Sequence, residues 1–346
     1  MDLDLLQTTL DGLGEPSFRA GQIWRWAARG AAGYAEMTNL PRRLREHLEQ
    51  AVPYSTLMVE RQATSRDGTV KTLFATADGR PVEAVLMRYR DGRHSLCLSS
   101  QSGCPLTCSF CATGQMRFGR NLSPWEIVDQ ALHFGRPLAP GQARAPLDHA
   151  VFMGMGEPMM NIDVVLGACT YLPDLGITPR RTAISTVGWL PGIARLADDP
   201  RPLRLALSLH AADPALRSEL MPVNDRFPLP EVLRSCQDYY SRKRRQVFVE
   251  YVMLAGINDS TAQAVQLAEL LQPRVYKVNL IPYNPTGSSF EGSSPKAIAA
   301  FKAQLERRGL TATVRLTRGQ DIDAACGQLA AGRLATAGSP ASSDRP

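Results

Sequence analysis

The chain is 346 residues long and 44% hydrophobic, which is too long for one minimal domain and suits one large α/β domain with a small appendage. Seven cysteines, three of them crowded into one loop, argue against the disulfide framework of a secreted protein, and no apolar run approaches a membrane span. A net charge of +6 and a pI near 9.0 imply attraction to polyanions, nucleic acid being the usual one, although charge alone does not separate such a protein from a mildly basic one of other function.

The opening Met1-Asp2-Leu3-Asp4 is acidic and has no basic region ahead of an apolar one, so no signal peptide is read and a cytoplasmic chain is expected. Residues 1–52 are predicted as a helical accessory domain. Gln22-Ile23-Trp24-Arg25-Trp26 carries aromatics, and Leu40-Pro41-Arg42-Arg43-Leu44-Arg45 opens a basic amphipathic helix at a proline. The arginines read equally as a nucleic-acid surface and as the solvated face of a cap whose Trp24 and Trp26 are core.

Over 53–93 the pattern changes to period two, with turn signals at Asp67-Gly68, Asp78-Gly79 and Asp91-Gly92, which predicts a β-meander leading into the main domain. Glu83 lies in one of these strands and Cys97 at the end of the strand that follows. Next comes the loop Ser99 to Cys111, with Cys104, Cys108 and Cys111 at spacings of four and three. A structural zinc site wants four ligands at pair spacings, and no second pair exists here. Three thiolates on one tight loop fit a cubane 4Fe–4S cluster with one iron left open to another ligand.

From 94 to 332 strand-like runs, ending near Glu157, Gly188, Ala211, Leu254, Asn284 and Arg318, alternate with helical patterns. Helix starts are signalled at Ser123-Pro124, with Glu126 in capping-box position, and at Ser294-Pro295. Such alternation means a parallel sheet, open or closed into a barrel. Cys104, Gly156-Glu157, Ser185-Thr186, Ser208 to His210 and Asn284 all fall at carboxyl ends of successive strands, where such sheets bind ligands. Cys169 and Cys236 sit in helical patterns and read as core. Arg242-Lys243-Arg244-Arg245 reads first as a helix end favoured by positive charge and second as a phosphate contact. Residues 333–346 are Ala, Gly, Ser and Pro with a terminal Asp-Arg-Pro, and are predicted as a disordered tail.

Taken together, Ser99 to Leu122, Gly154-Met155-Gly156-Glu157-Pro158, Ser208-Leu209-His210 and Arg318 to Leu329 resemble the RlmN family of radical S-adenosylmethionine (SAM) enzymes, adenine-C2 RNA methyltransferases, from about Phe18 to Leu329. The resemblance implies an α/β fold, a partial (βα)6 barrel with an N-terminal helical accessory domain associated with RNA binding. It implies Cys104, Cys108 and Cys111 as cluster ligands. Gly156, Glu157, Ser185, Ser208, Leu209, His210 and Asn284 would be the contacts of SAM, two molecules of which are used per turnover. Cys326 would carry a methyl group to adenine through a covalent protein–RNA adduct, Cys97 would resolve that adduct through a transient disulfide, and Glu83 would accept a proton.

The implied substrates are 23S rRNA and a subset of tRNAs, next to the anticodon, with an electron donor such as flavodoxin, no membrane, and a monomeric enzyme. Two departures stand out: Arg117 replaces a more usual glycine, and Tyr276-Lys277 a histidine-containing form. The competing functions are the sister activity at adenine C8, associated with ribosomal antibiotic resistance, and a non-catalytic RNA-binding protein with a structural metal loop. Arg318-Gly319-Gln320-Asp321 looks like the C2 form, and a mere binder needs none of Cys97, Glu157 and Cys326.

Overall fold

The computed structural model describes residues 1–138 and 146–330, so the tail expected over 333–346 lies outside the described residues. The chain begins with three helices, α1 (Leu3–Gly12), α2 (Phe18–Ala28) and α3 (Arg42–Ala51). In α3 Leu44 and Leu48 point inward one turn apart, while Arg42 and Arg43 are exposed. The tryptophans divide. Trp24 is buried, donates from Nε1 to Asp174 at 2.6 Å and meets the edge of Tyr171, whereas Trp26 is half-buried and bonds to Asn39. The helical block shares one hydrophobic core with the rest of the chain.

Four strands follow as an antiparallel meander: β1 (Leu57–Thr64), β2 (Val70–Thr76), β3 (Pro81–Arg88) and β4 (His94–Cys97). Their turns fall at the three Asp-Gly signals. Gly68, Gly79 and Gly92 each have φ between 73° and 84°, the left-handed conformation that glycine adopts without a Cβ penalty. A two-residue ribbon, β5 (Gln101–Ser102) with β6 (Arg120–Asn121), closes the base of the cysteine loop. The helix α4 (Pro124–Phe134) starts with the expected capping box between Ser123 and Glu126.

The remaining strands, β7 (His149–Phe152), β8 (Thr182–Thr186), β9 (Arg204–Ser208), β10 (Val247–Met253), β11 (Tyr276–Pro282) and β12 (Ala312–Val314), add in sequence order parallel to β4. Helical connections run between them, and the ten-stranded sheet has β1 and β12 as its edges. The sheet therefore does not close on itself, in keeping with the partial barrel expected. Several strands stop short of the residues that mark their ends in the sequence. β7 ends at Phe152 and β12 at Val314, so Glu157 and Arg318 sit on the loops beyond.

The helix Leu229–Lys243 ends inside the basic run, with Arg244 left-handed at φ 54°. Arg242 pairs with Asp198, and Lys243 donates to the Arg201 carbonyl. This run precedes β10, at the sheet end opposite the cysteine loop, and serves as a helix end.

Candidate active site

The cysteine loop is shaped by positions that admit no side chain. Gly103 has φ 73°, and a Cβ there would meet the Arg117 carbonyl oxygen at 2.4 Å; one on Gly114 would stand 3.0 Å from the Cys108 carbonyl oxygen. Arg117 thus lies against the cluster loop through its backbone. Burial pushes the Cys104 thiol up to about 12 and the Cys108 and Cys111 thiols upward as well, and the neighbouring thiols add to the shift of each. Such thiols ionise only when a positive group replaces their lost hydration. Among the described residues no three His, Cys, Asp or Glu side chains converge closely enough to hold one metal ion, while a cubane cluster takes its thiolates at separate corners. The donor set, three soft thiols on one tight loop with Cys108 buried and Cys104 and Cys111 half-buried, fits a 4Fe–4S cluster.

Beside Cys111 opens a cavity of about 150 Å³ whose wall includes Gly156, Glu157, Ser185, Ser208, His210 and Cys326. Gly156 has φ 96°, and a Cβ on it would strike Gln101 at 2.5 Å. Glu157 is 3% exposed and accepts the amides of Met159 and Val187, both at 3.0 Å. Burial nevertheless raises its carboxyl to about 7, with those amides pulling the other way. Ser185 Oγ and Ser208 Oγ lie 3.4 Å apart.

His210 is buried and left-handed at φ 59°. Its Nδ1 accepts the Val252 amide at 3.0 Å, and its ring meets Phe110 edge-on. Burial, aided by Arg217, lowers it to about 3, so it is neutral and a hydrogen-bonding group. Leu209 is fully buried outside the cavity wall, leaving only its backbone near the site. Asn284 is turned the other way: its Nδ2 donates to the Cys326 carbonyl at 3.1 Å and its Oδ1 accepts from Gln320 at 2.9 Å.

Cys326 rides on a C-terminal loop stapled to the cysteine loop. The Ala112 amide donates to the Gly327 carbonyl at 2.8 Å and Thr113 Oγ1 to the Leu329 carbonyl at 2.6 Å, while Thr286, on the loop after β11, donates from Oγ1 to the Phe110 carbonyl at 3.2 Å. Cys326 lines both the cavity beside Cys111 and a narrow cleft that also contains Cys97, Met153 and Arg315. Cys97 is buried and packs with Ala324 and Leu329, the neighbours of Cys326. Burial, and then the Cys326 sulfur, push its thiol up to about 12. Both are free thiols, so the expected disulfide is absent from this structure. Glu83 is buried on β3 and approaches the loop that carries Cys326: its Oε2 accepts the Ala330 amide at 2.8 Å.

Three site residues escaped the sequence reading. Arg217 is fully buried and ties two strand ends together, donating to the Leu209 and Val187 carbonyls; burial lowers it to about 10. Arg315, beside both cysteines, is raised chiefly by Cys326. Glu250, on the cavity wall, is raised by burial and bonded to Asn279. Each is a single charge in an ordinary α/β pattern, without spacing to announce it.

An open parallel sheet with a three-cysteine loop beside its strand-end cavity defines a radical SAM protein, and the family model described as the Radical SAM superfamily matches residues 98–268. A second, described as the ribosomal RNA large subunit methyltransferase N-terminal domain, matches residues 1–53. The chain is 46% identical over 325 residues to the "Probable dual-specificity RNA methyltransferase RlmN" of Moorella thermoacetica, covering 92% of each chain. It is 43% identical to the "Dual-specificity RNA methyltransferase RlmN" of Anaeromyxobacter dehalogenans, covering 94% of this chain and 89% of that one. The crystal structure of a radical SAM methyltransferase from Sphaerobacter thermophilus superposes with a TM-score of 0.89 at 43% identity, over 96% and 98% of the two chains. The chain belongs to the RlmN family.

Proposed function

We propose that this enzyme methylates carbon 2 of a specific adenosine in 23S rRNA and of the adenosine next to the anticodon in a subset of tRNAs. Carbon 2 of adenine is electron-poor and cannot attack the methyl of SAM, so methylation there requires a radical. Cys104, Cys108 and Cys111 would hold a 4Fe–4S cluster, which would supply that radical chemistry by reductive cleavage of SAM.

The chain's own groups do the rest. Glu157 accepts the amino group of SAM, with Gly156, Ser185, Ser208, His210 and the Leu209 backbone around it. Asn284 holds the Cys326 loop through its bond to the Cys326 carbonyl. Cys326 accepts a methyl group from a first SAM by displacement, and loses a hydrogen atom from that methyl to the radical made from a second. The resulting carbon radical adds to adenine C2. Glu83 takes the proton from that carbon, the surplus electron of the adduct would return to the oxidised cluster, and the Cys97 thiolate attacks the Cys326 sulfur: the carbon–sulfur bond breaks, the freed methylene takes a proton to become the methyl of the RNA, and the transient disulfide left behind is reduced by an external thiol before the next turnover. A flavodoxin-type donor supplies electrons, and the enzyme works as a cytoplasmic monomer. No helix of the described residues is long and apolar enough to cross a membrane.

The observation that carries this reading is the meeting of Cys97 and Cys326, more than two hundred residues apart in sequence, on one cleft beside the cysteine loop. A binding protein has no use for two such thiols. Mass spectrometry of nuclease-digested RNA from cells with and without the protein tests it. 2-Methyladenosine that disappears with the gene is the expected result, and 8-methyladenosine in its place would assign the sister activity.

A further inference from the structure

Behind the cysteine loop lies a charge without a counter-charge. The short helix Pro214–Leu220, which follows β9, carries Arg217 inward, where none of its surface is exposed. All three nitrogens donate: Nε to the Leu209 carbonyl at 3.2 Å, Nη1 to Asn224 Oδ1 at 2.6 Å and Nη2 to the Val187 carbonyl at 2.6 Å. Asn224 is itself buried, and its Nδ2 donates to the Pro214 carbonyl and to Ser218 Oγ. Each acceptor of Arg217 is neutral, and the residue forms no ion pair among the described residues. A buried guanidinium without an anion is costly, and buried charges are ordinarily paired. Burial brings it down only to about 10, so it is charged at neutral pH.

The surroundings of Arg217 point to the anion it lacks. The end of its helix packs on the cysteine loop. The Met221 amide donates to the Arg217 carbonyl at 2.8 Å, the Leu220 carbonyl accepts the Ser109 amide at 3.0 Å, and Leu220 and Met221 share a hydrophobic cluster with Cys108. The titratable groups that favour the charge of Arg217 are two thiols, Cys108 and Cys236. Cys236, on the helix Leu229–Lys243, is kept neutral by burial, which pushes it up to about 12. Cys108 remains, the buried member of the three thiols on the loop. Three thiolates outweigh the positive charge of a cubane core in either redox state, and reduction adds one more negative charge. Nearby charge and burial are among the levers that set the potential of such a cluster.

Resting on the cluster reading under Proposed function, we propose that Arg217 is a positioning residue that acts through Cys108. Its fixed charge is the counter-ion of the loaded cluster, and it raises the cluster's potential toward the reach of a one-electron donor. A mere brace between strand ends needs the three donors of this side chain and has no use for its charge.

The test cancels the charge and keeps the brace. Asn224→Asp replaces the acceptor of Nη1 by a carboxylate of nearly the same shape, which pairs with Arg217; Arg217→Gln removes the charge outright. Each protein is reconstituted anaerobically, verified by iron content and a melting curve, and titrated electrochemically while the electron paramagnetic resonance signal of the reduced cluster is followed. In Asn224→Asp the ratio of reduced to oxidised cluster at a fixed potential should fall about tenfold or more, a midpoint lower by about 59 mV for one electron. Arg217→Gln should shift it the same way, and where that variant does not fold Asn224→Asp decides alone. Ser218→Ala, which takes one partner from Asn224 and leaves the charge in place, should keep the parent midpoint. A loaded Asn224→Asp protein with the parent midpoint would overturn this role and leave Arg217 a brace. A parent protein that takes up no iron would instead fell the cluster reading, and this role with it.

Discussion

Lys71 and Glu83 form a buried ion pair at 3.2 Å, each side chain 1% exposed, and both ends of the pair reach the loop that carries Cys326. Lys71 Nζ donates to the Asp323 carbonyl at 3.1 Å, and Glu83 accepts the Ala330 amide at 2.8 Å. The pair therefore clamps this loop from either side of Cys326. Removing one member of a buried ion pair costs more than the pair contributes, because the other charge stays in a low-dielectric site.

Lys71→Met should accordingly lower the unfolding free energy by about 3–5 kcal/mol, and the Lys71→Met/Glu83→Leu double variant should recover part of that loss. Urea denaturation of the four proteins checks this. A double variant as unstable as the sum of the singles would show that the two groups act independently.

Glu157 gives a pH signature. Its folded value of about 7 lies above the ordinary 4.5, so the folded chain binds more protons than the unfolded one between those values. Stability contributed by the protonated form is present at low pH and is lost as pH rises toward 7, by roughly 3 kcal/mol. In protein without cluster or SAM, Glu157→Gln should therefore gain stability relative to the parent from pH 5 to pH 8, while binding SAM more weakly once loaded. A pH-independent difference between the two would contradict the burial of this carboxyl.

The N-terminal helices cannot be removed cleanly. Besides the Trp24–Asp174 bond, Trp125 Nε1 donates to Asp4 at 2.8 Å, and the rings of Trp24 and Trp125 both meet Tyr171 edge-on. Trp24→Ala should cost about 3–5 kcal/mol, and deleting residues 1–52 should leave an aggregating barrel, visible by light scattering. An Arg42→Gln/Arg43→Gln variant separates binding from folding: its melting temperature should stay within a degree or two, whatever its RNA affinity.

The cluster assignment is checked by metal content. Cys108→Ala should lose the broad iron–sulfur absorbance and SAM cleavage after anaerobic reconstitution, because three thiols leave no spare ligand. Full iron content in that variant would reassign the loop.

Much of this was legible in the sequence, for physical reasons. Period-two runs punctuated by Asp-Gly become a meander because glycine alone takes the left-handed turn position cheaply. The cysteine spacing and the strand-end residues reveal a site because parallel sheets gather their loops at one end. Which face a residue takes was not legible. Asn284 turns toward Cys326, and Leu209 offers only backbone to the site. Arg217, Glu250 and Arg315 gain their importance from neighbours remote in sequence. Trp24 proved to be core, and the basic run at Arg242 a helix end.

The central claim is that Cys97 resolves what Cys326 begins, and Cys97→Ala tests it most directly. That variant keeps the methyl acceptor and lacks the resolving thiol, so protein isolated from RNA-containing cells should carry a covalent RNA species that survives denaturation. Nuclease digestion should leave a modified Cys326 peptide, and Cys326→Ala should show neither adduct nor S-methylcysteine. If denaturing gels of Cys97→Ala show only free protein, with normal turnover in vitro, the two-cysteine mechanism is wrong for this chain.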